Sequence, residues 1–167
     1  KVFAEQLPLI FEKLFNSGLP IKIYQQCQKN QNNELIEFYK KTKIEYELFN
    51  FTENIIDYYL KTNLVITRSG ASVLGELINI NIPFISIPLP SSADNHQYKN
   101  AEFYFKKGYG YLLEEKDIKN KLYDLISNFF KNKSLIKNIL SNQRQHSDKE
   151  IFRNLNIQIK KIIDEKN

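Results

Sequence analysis

The stretch Leu64-Val-Ile-Thr-Arg68-Ser-Gly70-Ala-Ser-Val-Leu-Gly-Glu76 decides how this 167-residue chain is interpreted. Its apolar start, residues 64–67, predicts a buried strand, and residues 73–78 predict a helix. A tight Ser-Gly turn joins the two, so the N–H groups of the first helical turn, which carry a partial positive charge, face outward to bind an anion. Glu76 lies one helical turn further on, where a carboxylate suits a ribose diol. The pattern predicts a nucleotide site.

Structural alternatives to this site stay open. Gly70 would serve a left-handed backbone, and Ser69 or Ser72 would cap the helix, without any ligand. Glu76 favours a function, because carboxylates are rarely buried in an apolar helix without a partner. A solvent-facing Glu76 would need no such partner.

A second polar cluster follows the Pro-rich loop at residues 88–92. Asp94 or Asn95 is a candidate cap for the helix that follows. Gln97 and Asn100 carry amides that both donate and accept hydrogen bonds, as recognition of sugar hydroxyls requires. His96 is a candidate base, although no carboxylate or nucleophile partner is evident for it. The alternative is an ordinary capped surface helix.

Strands and helices alternate about five times along the chain. The periodicity predicts helices at residues 3–15, 33–41, 54–60, 72–80, 95–107, 116–130, 134–142 and 148–163, and strands at 21–24, 44–51, 63–67, 83–87 and 109–113. Pro8 should kink the first helix, or the helix should begin close to it. This alternation predicts an α/β fold with a parallel, doubly wound sheet. The loops 50–54, 68–72 and 88–97 should then converge at the carboxyl edge of the sheet, where such folds bind ligands.

Composition predicts one domain without a membrane-spanning segment or an internal disulfide, since Cys27 is the single cysteine. The net charge of +5 comes from lysines dispersed among acids, which favours a solvated surface over nucleic-acid binding. An attraction to anionic lipid headgroups stays open. The sequence lacks a Gly-x-Gly-x-x-Gly or Walker loop, clustered His/Cys spacing, a Gly-x-Ser-x-Gly elbow and an Asp-x-Asp pair. No metal or cofactor is therefore expected.

The order of these motifs resembles that of a known family. The matching segments are Phe51-Thr-Glu53, Asn63-Leu-Val-Ile-Thr-Arg-Ser-Gly-Ala71, Glu76-Leu77, Ile82-Pro83, Ile87-Pro88, Asp94-Asn-His-Gln97 and Asn100-Ala101. The chain resembles the C-terminal half of the MurG family over about residues 1–165. Members of that family are peptidoglycan N-acetylglucosaminyltransferases that convert lipid I to lipid II.

The resemblance implies one half of a GT-B fold, in which two Rossmann-like domains face each other across a cleft. Residues 1–167 would be a partial C-terminal domain that binds UDP-N-acetylglucosamine (UDP-GlcNAc). The family's first strand of this domain and the Gly-rich loop after it are missing, as is the N-terminal domain that binds lipid I. The family works at the cytoplasmic face of the bacterial inner membrane, as a peripheral protein.

Site roles follow from the resemblance position by position. Thr52 would contact uracil through its backbone. Ala71, Ser72 and Val73 would lie under the ribose-diphosphate, and Glu76 would hold the ribose hydroxyls.

The same comparison assigns the sugar end of the donor. Gln97, with His96 and Asn100, would bind the GlcNAc hydroxyls, while Arg68, Ser69 and Gly70 would shape the turn. The implied reaction is an inverting hexosyl transfer without a metal, because helix N-termini can stabilise the leaving diphosphate.

No catalytic residue is assigned to this chain, and we expect the chain alone to be inactive. The alternatives are a non-catalytic remnant or binding module of the same fold, or a GT-B transferase for another sugar nucleotide.

Overall fold

The computed structural model describes residues 2–146 of the chain. In chain order the helices and strands are α1 (Val2–Asn16), β1 (Lys22–Gln26), α2 (Asn32–Thr42), β2 (Glu45–Phe49), α3 (Ile55–Tyr59), β3 (Val65–Thr67), α4 (Ala71–Asn79), β4 (Phe84–Ser86), α5 (His96–Lys106), β5 (Tyr111–Leu112), α6 (Ile118–Lys131) and α7 (Lys133–Gln145). Short 3₁₀ turns precede α2, α5 and α6. The helix predicted at residues 148–163 lies outside the described residues.

Every strand pair is parallel, which confirms the predicted α/β class. The strands form two sheets, one with the order β1-β2 and one with the order β3-β4-β5. In the first, the register runs from Lys22 opposite Glu45 to Gln26 opposite Phe49. In the second sheet, Ile85 of β4 lies between Ile66 of β3 and Tyr111 of β5. The strand predicted at residues 109–113 is shorter than expected, and it lies at the edge of its sheet.

One hydrophobic core links the two sheets. Helices α1, α2 and α6 pack their apolar faces against β4 and the segments that flank the strands. The buried members are Leu7, Ile10, Phe11, Leu14, Cys27, Leu35, Tyr39, Ile44, Ile85, Ile87, Leu113, Ile118, Leu122 and Ile126. A second cluster, built from α4 with Ile82 and Phe84, covers the other side of β4. Both faces of β4 are therefore buried, as expected for the central strand of a parallel sheet.

Helix α1 runs through Pro8 instead of beginning near it. Pro8 is buried with Leu7, so packing against the core outweighs the lost backbone hydrogen bond. Within residues 2–146 no helix is both long enough and apolar enough to cross a bilayer.

Gly110 is required by the packing of β4. A Cβ atom at this position would lie 2.5 Å from Cε2 of the Phe84 ring, which is itself buried. We expect Gly110→Ala to lower the free energy of unfolding by about 1–3 kcal/mol, because a packed core cannot absorb the extra methyl. Chemical denaturation measures this loss.

Gly75→Ala is the matched control. Its Cβ would meet only the Tyr104 hydroxyl, at 3.9 Å, and Gly75 lies inside α4. Alanine should therefore stabilise the protein by about 0.5–1 kcal/mol. Equal effects of the two substitutions would contradict the packing shown here.

Candidate functional site

The N-terminus of α4 opens directly at the carboxyl end of β3. Gly70, the N-cap residue, has extended backbone angles (φ −66°, ψ 136°), and no side chain caps the helix. A Cβ at Gly70 would meet no atom within 4 Å, and Ala71 and Ser72 are exposed, so this end of the helix is accessible. Gly70 therefore does not serve a left-handed turn, and neither Ser69 nor Ser72 caps α4. The free N–H groups of Ala71 and its two successors remain available to an anion.

Glu76 faces solvent. The argument that it is a buried carboxylate in need of a partner was therefore wrong. The structure instead shows the solvent-facing alternative, in which the carboxylate needs no protein partner. Tyr59 of α3 is close enough for its hydroxyl to respond to this charge. Burial raises the pKa of Tyr59, and the Glu76 carboxylate raises it further, so the hydroxyl stays protonated. The exposed Glu76 carboxylate and the Tyr59 hydroxyl are thus neighbours.

Ser69 is completely buried. Its Oγ has no hydrogen-bond partner among residues 2–146, and its backbone carbonyl accepts a hydrogen bond of 3.1 Å from Nδ2 of Asn100. This bond ties the turn before α4 to the first half of α5. Ser69 therefore supports the turn before α4 through its backbone.

Gln97 and His96 begin α5, next to the loop that follows β4. Oε1 of Gln97 accepts a hydrogen bond of 3.0 Å from the backbone N–H of Leu89. Nδ1 of His96 lies 2.8 Å from the carbonyl oxygen of Ala93, which can only accept, so Nδ1 carries the hydrogen. Within residues 2–146, neither the amide N–H groups of Gln97 nor Nε2 of His96 makes a hydrogen bond. Asn95 is the N-cap of α5, but its side chain makes no capping bond.

Arg68 fastens the loops of this site together. Its Nη1 lies 3.4 Å from the carbonyl oxygen of Ile87 and 3.2 Å from that of Pro88. Its Nη2 forms a 2.5 Å ion pair with Glu115, and its guanidinium lies 4.4 Å from the centre of the Phe3 ring. The resemblance implied that Arg68 shapes the turn, but the sequence did not indicate its partners, Glu115 and Phe3.

The predicted convergence of three loops holds for two of them. Contacts of Arg68 and Asn100 join the 68–72 loop to the 88–97 segment. Thr52 bonds locally, with its Oγ1 accepting from the N–H of Asn54 at 3.1 Å. Within residues 2–146 no hydrogen bond or ion pair joins the 50–54 loop to the other two. The reason is topological, because β2 lies on the far side of β1, in the other sheet.

No three His, Cys, Asp or Glu side chains cluster in a metal-binding arrangement anywhere in the described part of the chain. The polar groups of the site are instead backbone N–H groups, one carboxylate, amides and an imidazole.

Comparison with known proteins shows which family and which structures this chain resembles. Residues 1–159 match the family model described as the glycosyltransferase family 28 C-terminal domain. A protein of Pelagibacter ubique (strain HTCC1062) is 38% identical over 150 residues, which cover 87% of this chain and 41% of the relative. A protein of Rickettsia typhi is 39% identical over 145 residues, which cover 85% of this chain and 38% of the relative. This chain spans about two-fifths of the length of these relatives.

Both relatives are named UDP-N-acetylglucosamine--N-acetylmuramyl-(pentapeptide) pyrophosphoryl-undecaprenol N-acetylglucosamine transferase. Among solved structures, the crystal structure of Acinetobacter baumannii MurG superposes with a TM-score of 0.75 at 23% identity. The match covers 87% of this chain and 42% of that one. The structural likeness establishes the fold.

Arg68→Ala should lower the free energy of unfolding by about 1–3 kcal/mol, because it leaves Glu115 and two carbonyls without their charged partner. Urea denaturation followed by circular dichroism measures the loss.

Lys121→Ala is the control, since its 3.0 Å ion pair with Asp117 is exposed on the surface of α6. Exposed pairs four residues apart contribute only about 0.2–0.5 kcal/mol. If both variants lowered the free energy of unfolding equally, the contacts of Arg68 would not be what holds these loops together.

Proposed function

Because this chain belongs to the glycosyltransferase family 28 C-terminal domain family, we propose that it binds UDP-GlcNAc and forms the donor side of an inverting hexosyltransferase. Residues 1–167 are then a partial donor-binding domain. The relatives' names supply the substrate class, since they transfer N-acetylglucosamine from its UDP conjugate to an undecaprenol-linked acceptor.

The open N-terminus of α4 is the observation that carries this proposal. Ala71, Ser72 and Val73 form an accessible first helical turn at the carboxyl end of a parallel strand, and no side chain of the N-cap residue Gly70 caps their N–H groups. A diphosphate placed there is stabilised by the partial positive charge of the helix. Glu76 lies one turn along the same helix, exposed, and accepts hydrogen bonds from the ribose hydroxyls.

The sugar end of the donor then meets the start of α5. Gln97 offers its amide N–H groups, and His96 offers Nε2. Asn100 uses Nδ2 to hold the Ser69 carbonyl, which leaves its Oδ1 to accept from a sugar hydroxyl. These groups are held by backbone contacts, so a GlcNAc ring meets a largely preformed set of partners.

The uracil end is assigned to the backbone of Thr52, in the loop after β2. Phe49 and Tyr58 stack at 4.1 Å between ring centroids beside this loop and help to hold it. Since no polar contact in residues 2–146 joins this loop to the α4 turn, a UDP group would bridge the two sheets.

The proposed reaction needs little from this chain beyond binding. The C4 hydroxyl of the acceptor's N-acetylmuramyl group attacks the anomeric carbon of GlcNAc, its proton passes to a base outside this chain, and UDP leaves. The bond that breaks joins the anomeric carbon to the diphosphate oxygen. The α4 N–H groups stabilise the negative charge that develops on that oxygen. Acceptor binding and contact with the cytoplasmic face of the membrane are assigned to the N-terminal domain of the complete transferase.

Calorimetric titration with UDP-GlcNAc tests donor binding directly. We expect binding that is tighter than that of UDP-glucose or ATP. Glu76→Ala should cost about 1–3 kcal/mol, because the ribose hydroxyls lose their acceptor, and thus weaken the Kd about 5- to 150-fold.

Glu37→Ala serves as the matched control, since Glu37 is also an exposed carboxylate on a helix but lies on α2. Its Kd should equal that of the unaltered chain. Absence of UDP-GlcNAc binding by a chain whose near-ultraviolet circular dichroism shows a folded core would leave the non-catalytic alternative. Tighter binding of UDP-glucose would support a different sugar nucleotide.

Transfer itself is expected to be undetectable with this polypeptide alone, because it supplies neither the acceptor site nor a base. Incubation with UDP-GlcNAc and lipid I, followed by chromatography of the lipid products, should show no lipid II. Formation of lipid II would show that residues 1–167 carry the complete catalytic machinery.

A further inference from the structure

Asn50 is the first residue after β2, and it begins the 50–54 loop. Its amide nitrogen Nδ2 donates to the carbonyl oxygen of Cys27 at 2.9 Å and to Oδ1 of Asn32 at 3.3 Å. Its backbone carbonyl accepts a hydrogen bond of 2.8 Å from Nε2 of Gln26. Residues at the end of β1 and at the start of α2 therefore hold Asn50 through both its side chain and its backbone.

The partners of Asn50 are themselves fixed. Sγ of Cys27 donates to Oδ1 of Asn32 at 3.0 Å, so this oxygen accepts from Cys27 and from Asn50 together. Because the amide of Asn32 has only one atom that accepts, these two donors determine its orientation. Cys27 is buried, and burial raises the pKa of its thiol, so the sulfur keeps the hydrogen that it donates.

The ordinary reasons for an asparagine after a strand do not apply to Asn50. Asparagine often serves a left-handed backbone, but the φ of Asn50 is not positive. Asparagine also often bonds to the backbone of its near neighbours, whereas Asn50 reaches partners 23 and 18 residues away. Pairing of β1 with β2 does not depend on Asn50 either, since their ladder runs from Lys22 to Gln26 without it.

Beyond Asn50 the loop has few contacts of its own. Within residues 2–146, all hydrogen bonds that join residues 50–53 to β1 or α2 are made by Asn50. The Thr52 side chain bonds only to the N–H of Asn54, which is close to it in sequence. In the same part of the chain, the backbone N–H and C=O of Thr52 make no hydrogen bond. The hydrogen bonds of Asn50 are thus what ties these two groups to the sheet.

The placement of such a pair of groups decides which pyrimidine it accepts. Uracil has an acceptor, O4, beside a donor, N3–H, whereas cytosine has a donor, the N4 amine, beside an acceptor, N3. An N–H placed opposite O4 and a C=O placed opposite N3–H therefore fit uracil, but they meet cytosine donor to donor and acceptor to acceptor. A backbone that is free to shift can exchange the two placements and accept cytosine as well. Selectivity for one base then requires a fixed loop.

We propose that Asn50 is a positioning residue that sets the selectivity of this chain for uracil over cytosine, because it fixes the backbone of Thr52. This inference rests on the proposed function, since it takes the Thr52 backbone as the partner of the base. Asn50 acts through the loop, because both hydrogens of its amide are already bonded to Cys27 and Asn32.

UDP and CDP are the probes, because they share the ribose and the diphosphate and differ only at the edge of the base. Calorimetric titration gives the Kd of each for the unaltered chain, Asn50→Ala and Asn50→Asp. Aspartate keeps the shape of the asparagine side chain but has no amide hydrogen to donate. Glu76→Ala tests a group proposed to meet the shared ribose. Asn138→Ala is the matched control, since Asn138 is an exposed asparagine on α7.

We expect the unaltered chain to bind UDP about tenfold or more tightly than CDP, because the mismatched base leaves two polar groups unpaired. Both Asn50 variants should lower this ratio to about threefold or less, mainly by weakening UDP binding. Glu76→Ala should weaken both nucleotides by the same factor, and Asn138→Ala should change neither. Gln26→Ala removes only the bond to the Asn50 carbonyl and should lower the ratio by a smaller factor.

The outcomes separate this inference from donor binding itself. An unchanged ratio in folded Asn50 variants would overturn the role of Asn50 and leave the proposed function standing, and so would equal binding of UDP and CDP by the unaltered chain. Absence of UDP binding by the folded, unaltered chain would overturn both. If the Asn50 variants lose their near-ultraviolet circular dichroism, Gln26→Ala decides, and an unchanged ratio in that variant would overturn the proposal.

Discussion

Parallel strand pairing is the constraint on which the candidate site depends. A parallel strand cannot return through a tight turn, so each one is followed by a helix that crosses back over the sheet. The β3–β4 pair therefore brings the turn before α4 and the loop before α5 to one edge, where the Arg68 side chain bonds to the carbonyls of Ile87 and Pro88. The ion pair with Glu115 and the contact with Phe3 extend this fastening to segments far away in sequence. One guanidinium thus sets the relative positions of elements that no local sequence rule connects.

The polar side chains of the site divide their hydrogen-bonding groups between the protein and the space in front of it. Asn100 donates to the Ser69 carbonyl, and Gln97 accepts from the Leu89 N–H, so each amide is oriented by one backbone bond. The remaining half of each amide is then held in a defined direction at little further entropic cost on binding. At the N-terminus of α4, by contrast, no N-cap side chain bonds to the first N–H groups, so these groups stay available for binding. An ordinary structural helix end would have used a serine or aspartate there.

Local patterns were sufficient to predict most elements and the α4 turn. Residues 64–78 combine an apolar run, a Ser-Gly pair and helical periodicity, and the structure places a strand, an extended N-cap and a helix there. The orientation of Glu76 was beyond this reasoning, because its neighbours in α4 are apolar and only the packing of Leu74 and Leu77 shows which side faces solvent. The partners of Arg68 were equally hidden, since Phe3 and Glu115 lie more than 45 residues away in either direction. Separation of the strands into two sheets, and hence of the Thr52 loop from the other two loops, also depends on long-range pairing.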